Sequence, residues 1–232
     1  MPIFYKGNER VLFSHIPKTA GTSLYVWFVK NNWLVSNLRL VASIGVGKIF
    51  SKEFGIWQCQ MEGYLPESIS PQHAHAEFFN KWGSFTSQFC IVRHPLSRFV
   101  SELNYLLPGF CHSRGIKKIS VEFVTRFVES FVFDILYGEY NDNKKLRDNH
   151  IRPQVDFISP DMNILYLEGA WENWLKNSYK LAGSADEHNA SPKLVRLDRN
   201  FTKKTINAVC DFYERDFDAL GYPQYPPGVI AY

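Results

Sequence analysis

Three short apolar runs, each followed by a segment with helical spacing, dominate the pattern of hydrophobic and polar positions along the chain. The runs cover residues 10–15, 89–92 and 163–167, and turn-forming or polar residues end each of them. Strands that alternate with helices are typical of a parallel sheet, because parallel neighbours need a crossover connection between them. The pattern therefore predicts an α/β fold in which a parallel sheet is flanked by helices.

Helices are predicted where the apolar spacing changes from strand-like to helical. The first is expected over residues 23–33, where Leu24, Trp27 and Phe28 share one face. The second begins near Pro95, a residue suited to a first helical turn. Its apolar stripe consists of Leu96, Phe99, Val100, Leu103 and Leu107. Three further helices are predicted, at residues 121–137, 171–181 and about 202–213.

Length and composition fit one domain of this kind. The chain has 232 residues, 45% of them hydrophobic, and its 19 Phe, 12 Tyr and 6 Trp can fill a large core. No Gly/Ser-rich or Pro-rich linker divides it, so we predict a single domain over residues 1–232 with a Pro-rich C-terminal tail from about residue 223. Residues 36–82 show no clear periodicity, and no element is predicted there.

Charge, cysteine spacing and hydropathy narrow the class of protein. The formal net charge of +3 is too small a surplus to indicate bulk nucleic-acid binding. The four cysteines are scattered along the chain without a close pair, which favours reduced thiols over disulfides. The N-terminus lacks the pattern of a secretory leader, and no stretch approaches the ~18 apolar residues of a membrane span. We therefore expect a cytoplasmic protein with neither a membrane span nor a nucleic-acid partner.

The loop between the first predicted strand and helix has the composition of an anion cradle. Residues 15–23 read HIPKTAGTS and contain one lysine, one glycine and three hydroxyls. Gly21 allows close approach of the backbone to a ligand, Thr22 and Ser23 can cap the helix, and free amides at a helix N-terminus favour phosphate or sulfate. Lys18 adds a mobile charge. Because this lysine precedes the glycine, the loop differs from the GxxxxGK[ST] loop of nucleotide hydrolases.

A second candidate anion site follows the second predicted strand. Arg93 stands at the end of that strand, and Ser101 lies eight residues further on, on the polar face that it shares with Ser97. An arginine at the carboxyl end of a strand and a hydroxyl on the next helix can together hold a terminal phosphate in fork geometry.

Together, these two segments resemble the cofactor signatures of the sulfotransferases that use 3′-phosphoadenosine 5′-phosphosulfate (PAPS). Residues 14–23, SHIPKTAGTS, are similar to the first signature, and residues 89–105, FCIVRHPLSRFVSELNY, to the second. The resemblance is in particular to the carbohydrate branch related to heparan sulfate 2-O-sulfotransferase, and residues 72–75, QHAH, resemble the HxH motif of that branch. Later segments extend the similarity to about residue 222, namely HIRPQ at 150–154, NILYLE at 163–168, HNAS at 188–191 and DFYERDFDALGY at 211–222.

The resemblance implies a P-loop-like sulfotransferase fold and a division of labour between the two signatures. Arg93 and Ser101 would hold the 3′-phosphate of the donor. The 5′-phosphosulfate would be held by Lys18, Thr19, Ala20, Gly21, Thr22 and Ser23. PAPS is then the donor, 3′-phosphoadenosine 5′-phosphate (PAP) the product, and no metal is required. Lys18 would also act in catalysis, because its charge stabilises the phosphate that leaves.

Sulfuryl transfer to a hydroxyl needs a base, and histidine titrates in the right range. His75 is the preferred candidate. His73 would project the same way from an extended segment and could bind or orient the acceptor instead. Glu77 is the alternative base, because it lies two residues beyond His75. The two histidines have the spacing of metal ligands, but the sequence places no third ligand, so no metal site is predicted.

The acceptor is expected to be a hydroxyl-bearing glycan or glycosylated small molecule. Two basic clusters could grip an anionic sugar, namely Arg114, Lys117 and Lys118, and Lys144, Lys145, Arg147 and Arg152. One alternative function is a nucleotide-dependent kinase, in which Glu168 after the third strand would bind Mg²⁺. The other is a non-catalytic nucleotide-binding or polyanion-binding module, which would have no need of the HxH motif.

Overall fold

A five-stranded sheet organises the first part of the chain. The computed structural model describes residues 3–35, 73–78, 84–143, 146–186 and 191–226. The strands, in chain order, are β1 Ile3–Lys6, β2 Glu9–Ser14, β3 Leu34–Val35, β4 Ser87–Val92 and β5 Asn163–Tyr166. Their order across the sheet is β3-β1-β2-β4-β5.

The sheet is mixed: the three predicted strands form the expected parallel part, and β1 pairs antiparallel with its neighbours. β2, β4 and β5 are parallel, with Ser14 paired to Cys90 and Val92 to Tyr166. β1 is antiparallel to both β2 and β3. Only Gly7 and Asn8 separate β1 from β2, and Gly7 has a φ of 56°, as a two-residue hairpin turn requires.

The five predicted helices are confirmed to within a few residues, and two short helices, Leu197–Asn200 and Glu214–Leu220, were not predicted. The helices are α1 Gly21–Lys30, α2 Pro95–Ser113, α3 Val121–Ser130, α4 Trp171–Tyr179, α5 Leu197–Asn200, α6 Lys203–Phe212 and α7 Glu214–Leu220. α3 continues as a π-helix over Phe131–Glu139, and α2 runs through Pro108 to its end. In the part of the chain that the structure describes, no helix combines the length and the apolar character needed to cross a membrane.

The chain forms two compact units. Unit 1 comprises residues 1–92 and 156–189, and thus holds the sheet, α1 and α4. One face of its sheet packs on the two helices through a cluster of aromatic rings. Phe28 of α1 stacks on Phe4 with ring centroids 4.0 Å apart, and Phe13 stacks on Phe89 at 5.1 Å. These contacts fix α1, and with it the loop that enters α1, against the sheet.

Unit 2 comprises residues 93–155 and 190–232 and is helical in its described parts. Its core joins α2, α3 with its π-helical extension, and α6. Leu96, Leu103 and Leu107 of the predicted stripe on α2 are all fully buried in this core. α6 is closed at its start by a capping box, in which the side chains of Thr202 and Thr205 each bind the backbone of the other.

Candidate functional site

The loop between β2 and α1 has a backbone conformation that side chains normally avoid. Lys18 and Ala20 are left-handed, with φ of 70° and 67°, while Thr19 between them keeps a negative φ. Non-glycine residues of this kind are uncommon and store strain, which is found most often at functional sites. Successive residues of opposite hand can turn their N–H groups toward a common point and form a concave anion-binding nest, so this loop is a candidate for one.

The start of α1 has no side-chain cap. Ala20 is the N-cap residue and no side chain caps the helix, so the expectation that Thr22 or Ser23 does so is wrong. Both residues lie inside the first helical turn, because the helix begins two residues earlier than predicted. No acidic residue occupies that turn, so the positive end of the helix dipole is not neutralised there.

The hydroxyl of Thr19 is used within the loop itself. Thr19 is fully buried, and its Oγ1 donates to the carbonyl of Ile16 at 2.8 Å. This bond holds the strand end and the loop in one shape. Any contact of Thr19 with a ligand would therefore come from its backbone N–H.

Gly21 is needed for a different reason from the one the sequence suggested. A Cβ atom at this position would overlap the imidazole ring of His15, which lies directly against the α-carbon. His15 Nδ1 in turn shares a 3.0 Å hydrogen bond with the hydroxyl of Tyr25, a buried residue whose pKa is raised well above its usual value by loss of solvent. His15 thus contacts both Gly21 and Tyr25 of α1 and restricts position 21 to glycine, a role that sequence reasoning missed.

The HxH segment is not the strand in which both histidines would point the same way, and a 3-10 turn at residues 76–78 follows it directly. The Phe78 N–H donates to the carbonyl of His75 at 3.1 Å. His73 packs against His15, with ring centroids 5.0 Å apart. His75 Nε2 instead lies 3.0 Å from a carboxylate oxygen of Glu77, and both imidazoles are buried. The structure therefore brings His73 to His15, the residue that lies against Gly21, and pairs the two rival bases, His75 and Glu77, with each other.

Arg93 follows β4 directly and belongs to unit 2. Its backbone is held at both ends by one side chain, because Gln154 Oε1 accepts from the Arg93 N–H at 3.0 Å and Gln154 Nε2 donates to the Arg93 carbonyl at 2.8 Å. Asp216 is fully buried and accepts from the N–H groups of Gln154 and Val155 at 2.9 and 3.0 Å. Burial raises the pKa of Asp216, an effect opposed by the charge of Arg98 and by these N–H donors.

The polar face of α2 runs as predicted. Ser97 and Ser101 are both partly exposed and lie one turn apart, whereas Arg98 and Glu102, the residues that follow them, are buried. Arg98 donates to the backbone carbonyls of His150 and Arg152 at 3.1 and 2.7 Å. Glu102 binds His150 Nδ1 at 2.8 Å. Arg98 and Glu102 thereby attach His150 and Arg152 to α2.

The remaining candidates fall into three groups. His94 occupies the N-cap position of α2, but its Nε2 bonds to the carbonyl of Pro223 at 2.8 Å rather than to the helix. Lys117, Lys118 and Glu168 are exposed, and Arg114 lies over the ring of Phe110. Lys144, Lys145, Gln72, Cys59 and His188 lie outside the described residues.

Comparison with known proteins identifies the family of this chain. The family model described as "Sulfotransferase family" matches residues 1–223, so the chain belongs to the sulfotransferase family. Members of this family transfer sulfuryl groups to hydroxyl-bearing acceptors. No curated protein and no solved structure matches the chain.

Proposed function

We propose that the chain transfers the sulfuryl group of PAPS to a hydroxyl of a carbohydrate. The observation that carries the proposal is the strained loop at residues 18–20, which precedes a helix with neither a side-chain cap nor an acidic residue in its first turn. Backbone amides at a helix start, a loop that can form a concave nest and a lysine are the groups that suit a phosphosulfate. The residues present therefore fit the donor that this family normally uses.

Lys18 to Ser23 are proposed to bind the 5′-phosphosulfate of the donor. Backbone amides of the loop hold the 5′-phosphate, and Lys18 stabilises the negative charge that grows on the bridging oxygen as the S–O bond breaks. Because this charge develops only in the transition state, Lys18 contributes more to turnover than to binding.

Arg93 and Ser101 are proposed to bind the 3′-phosphate of the donor and to select for it. A guanidinium group can present two parallel N–H donors to a phosphate, and a serine hydroxyl can add a third. ADP lacks that phosphate, so the protein should prefer PAP. The partly exposed position of both residues in unit 2 agrees with this role.

His75 acts as the base, and the carboxylate of Glu77 orients its imidazole ring. A carboxylate that binds one ring nitrogen fixes the tautomer and stabilises the imidazolium, as in other catalytic histidine–carboxylate pairs. The acceptor oxygen forms its bond to sulfur while its proton passes to His75, the bond from sulfur to the bridging oxygen breaks, and PAP leaves. His73, which packs against His15, orients the acceptor.

Activity with PAPS is the direct test. Purified protein is incubated with PAPS and a panel of glycans, and PAP release is measured together with the mass of the product. Among variants, His75→Ala should lower turnover by about 10² to 10⁴ while PAP binding stays nearly normal. Glu77→Gln should have a smaller effect, and His73→Ala should act mainly on the apparent affinity for the acceptor.

The same variants decide the base. If Glu77→Gln abolishes turnover while His75→Ala retains a near-normal rate and pH profile, Glu77 is the base and the histidines are acceptor contacts. If the protein binds PAP but forms no PAP from PAPS with any of the hydroxyl acceptors, a non-catalytic binding module is favoured instead.

The acceptor is proposed to be an anionic sugar held by the exposed cations between α2 and α3. Arg114, Lys117 and Lys118 supply this charge. Charge reversal at Lys117 should raise the apparent KM for an acidic glycan and leave the apparent KM for a neutral glycan unchanged.

The described cysteines, which are Cys90, Cys111 and Cys210, are free and buried. Because free thiols of this kind favour a reducing compartment, we propose that the enzyme is cytoplasmic.

A further inference from the structure

Arg93 lies at a gap in the regular hydrogen bonding of the chain. The β4–β5 ladder ends with the pair Val92 and Tyr166, and α2 starts only at Pro95. The peptide groups of Arg93 therefore belong to neither the sheet nor the helix. Both are bonded instead to the amide of Gln154, 61 residues further along the chain.

Gln154 is itself held from a third segment. Asp216, in α7, accepts from the backbone N–H groups of Gln154 and Val155. The carboxylate is fully buried. Burial of an ionisable group is a poor way to gain stability, because desolvation offsets most of what its hydrogen bonds contribute. The buried carboxylate of Asp216 is therefore better explained by a need to fix the backbone of Gln154 and Val155 in one position than by a gain in stability.

We infer that Gln154 and Asp216 are positioning residues that hold the backbone of Arg93 so that its guanidinium group can read the 3′-phosphate of the donor. The inference rests on the proposed role of Arg93. The chain of contacts runs from the Asp216 carboxylate to the Gln154 backbone, and from the Gln154 amide to both peptide groups of Arg93. Loss of either link lets Arg93 move, and a displacement of about 1 Å can cost a site up to 10²-fold.

The chain offers a matched control for this device in the same unit. Asn104 of α2 is also buried and holds the backbone of Val195 in the same way, with Oδ1 accepting from the Val195 N–H at 2.8 Å and Nδ2 donating to the Val195 carbonyl at 2.9 Å. Neither residue belongs to the proposed donor site. Asn104→Ala therefore removes the same kind of contact without touching Arg93.

The experiment compares Gln154→Ala with Asn104→Ala. Dissociation constants for PAP and for ADP are measured by calorimetry, and the melting temperature is measured without nucleotide. Both variants should have a lower melting temperature than the wild type. Gln154→Ala should reduce the ratio of ADP to PAP dissociation constants by tenfold or more, whereas Asn104→Ala should keep the wild-type ratio. Unchanged preference in Gln154→Ala, or an equal loss in Asn104→Ala, overturns the inference.

Two further variants keep the test valid if Gln154→Ala does not fold. Gln154→Glu retains an acceptor for the Arg93 N–H but loses the donor to its carbonyl, and Asp216→Asn retains only one acceptor oxygen. Each should lower the preference for PAP by a smaller factor than Gln154→Ala, and a wild-type ratio in both would contradict the inference.

Arg93→Ala separates this inference from the proposed function. If Arg93→Ala loses the preference for PAP and the Gln154 variants keep it, only the positioning role is wrong. If Arg93→Ala keeps the preference, Arg93 does not read the 3′-phosphate, and both the assignment of Arg93 and the role of Gln154 are wrong.

Discussion

The two proposed phosphate sites of this protein are built in opposite ways. The loop at residues 15–23 in unit 1 relies on the backbone, with two left-handed residues and a helix start free of side-chain caps. The arginine site in unit 2 relies on a side chain, and that side chain's own backbone is held by Gln154 and Asp216 from distant parts of the chain. The first site stores strain locally, whereas the second depends on a buried hydrogen-bond network.

This difference determines which substitutions damage each site. A backbone site tolerates many side chains but depends on the few positions whose size or φ fixes its shape, such as Gly21. A side-chain site is lost with one residue, and it is weakened by changes far from the ligand. The predictions below compare the two sites directly.

The largest expected effect separates catalysis from recognition. Lys18→Ala should lower kcat by about 10² to 10³, because it removes a charge that acts on the leaving oxygen, and should change PAP affinity far less. Arg93→Ala should do the reverse and cost about 2 to 4 kcal/mol of PAP binding. Steady-state kinetics with saturating PAPS and calorimetry with PAP measure both. If Lys18→Ala and Arg93→Ala had equal effects on kcat and equal effects on PAP affinity, the assignment of catalysis to Lys18 and of recognition to Arg93 would be contradicted.

The contrast between the sites also decides how much of the molecule the sequence could predict. The strands β2, β4 and β5, the helices α1 and α2 and the loop between β2 and α1 are local in sequence, so their apolar spacing and turn residues were sufficient. β1 has only four residues, and β3 only two. Their pairing depends on neighbours in the sheet, which periodicity cannot supply, although the Gly7–Asn8 turn was a readable hairpin signal.

The network behind Arg93 could not be predicted for a physical reason. Gln154 and Asp216 meet only in the folded chain, and the spacing of glutamine and aspartate in a sequence says nothing about which peptide groups they bind. The segments that contain them, 150–154 and 211–222, resembled the family without revealing a role. His15 was within the loop that the sequence singled out, but its contact with Gly21 depends on the path of α1.

The next effect concerns the shape of the loop. Gly21→Ala should destabilise the protein by about 1 to 3 kcal/mol, because the new Cβ must displace the buried ring of His15. Gly109→Ala in α2 is the matched control, since a Cβ there meets nothing within 4 Å. That change should instead stabilise by about 0.5 to 1 kcal/mol through helix propensity. Urea unfolding measures both, and the same sign for the two variants would show that His15 does not restrict Gly21.

A smaller effect tests the strain of the loop. Ala20→Gly should raise the free energy of unfolding by about 0.5 to 1 kcal/mol, since glycine removes the penalty of a left-handed backbone but adds freedom to the unfolded chain. Lys180→Gly is the reference, because Lys180 follows α4 with a φ of 54° in an exposed position of the same unit. If Lys180→Gly raises the free energy of unfolding and Ala20→Gly lowers it, the alanine side chain, and not the strained backbone, determines the stability of the loop.

The smallest effect concerns pH and is confined to the arginine site. Because burial raises the pKa of Asp216 above 3.8, the folded state binds a proton that the unfolded state has already released. The contribution of Asp216 to stability is therefore greatest below its unfolded pKa and falls as the pH rises through its folded pKa. Asp216→Asn cannot titrate, so the unfolding free energy of the wild type minus that of the variant should decrease over this interval and then become constant. A difference that increases with pH would show that the two N–H donors and Arg98 stabilise the carboxylate more than burial destabilises it.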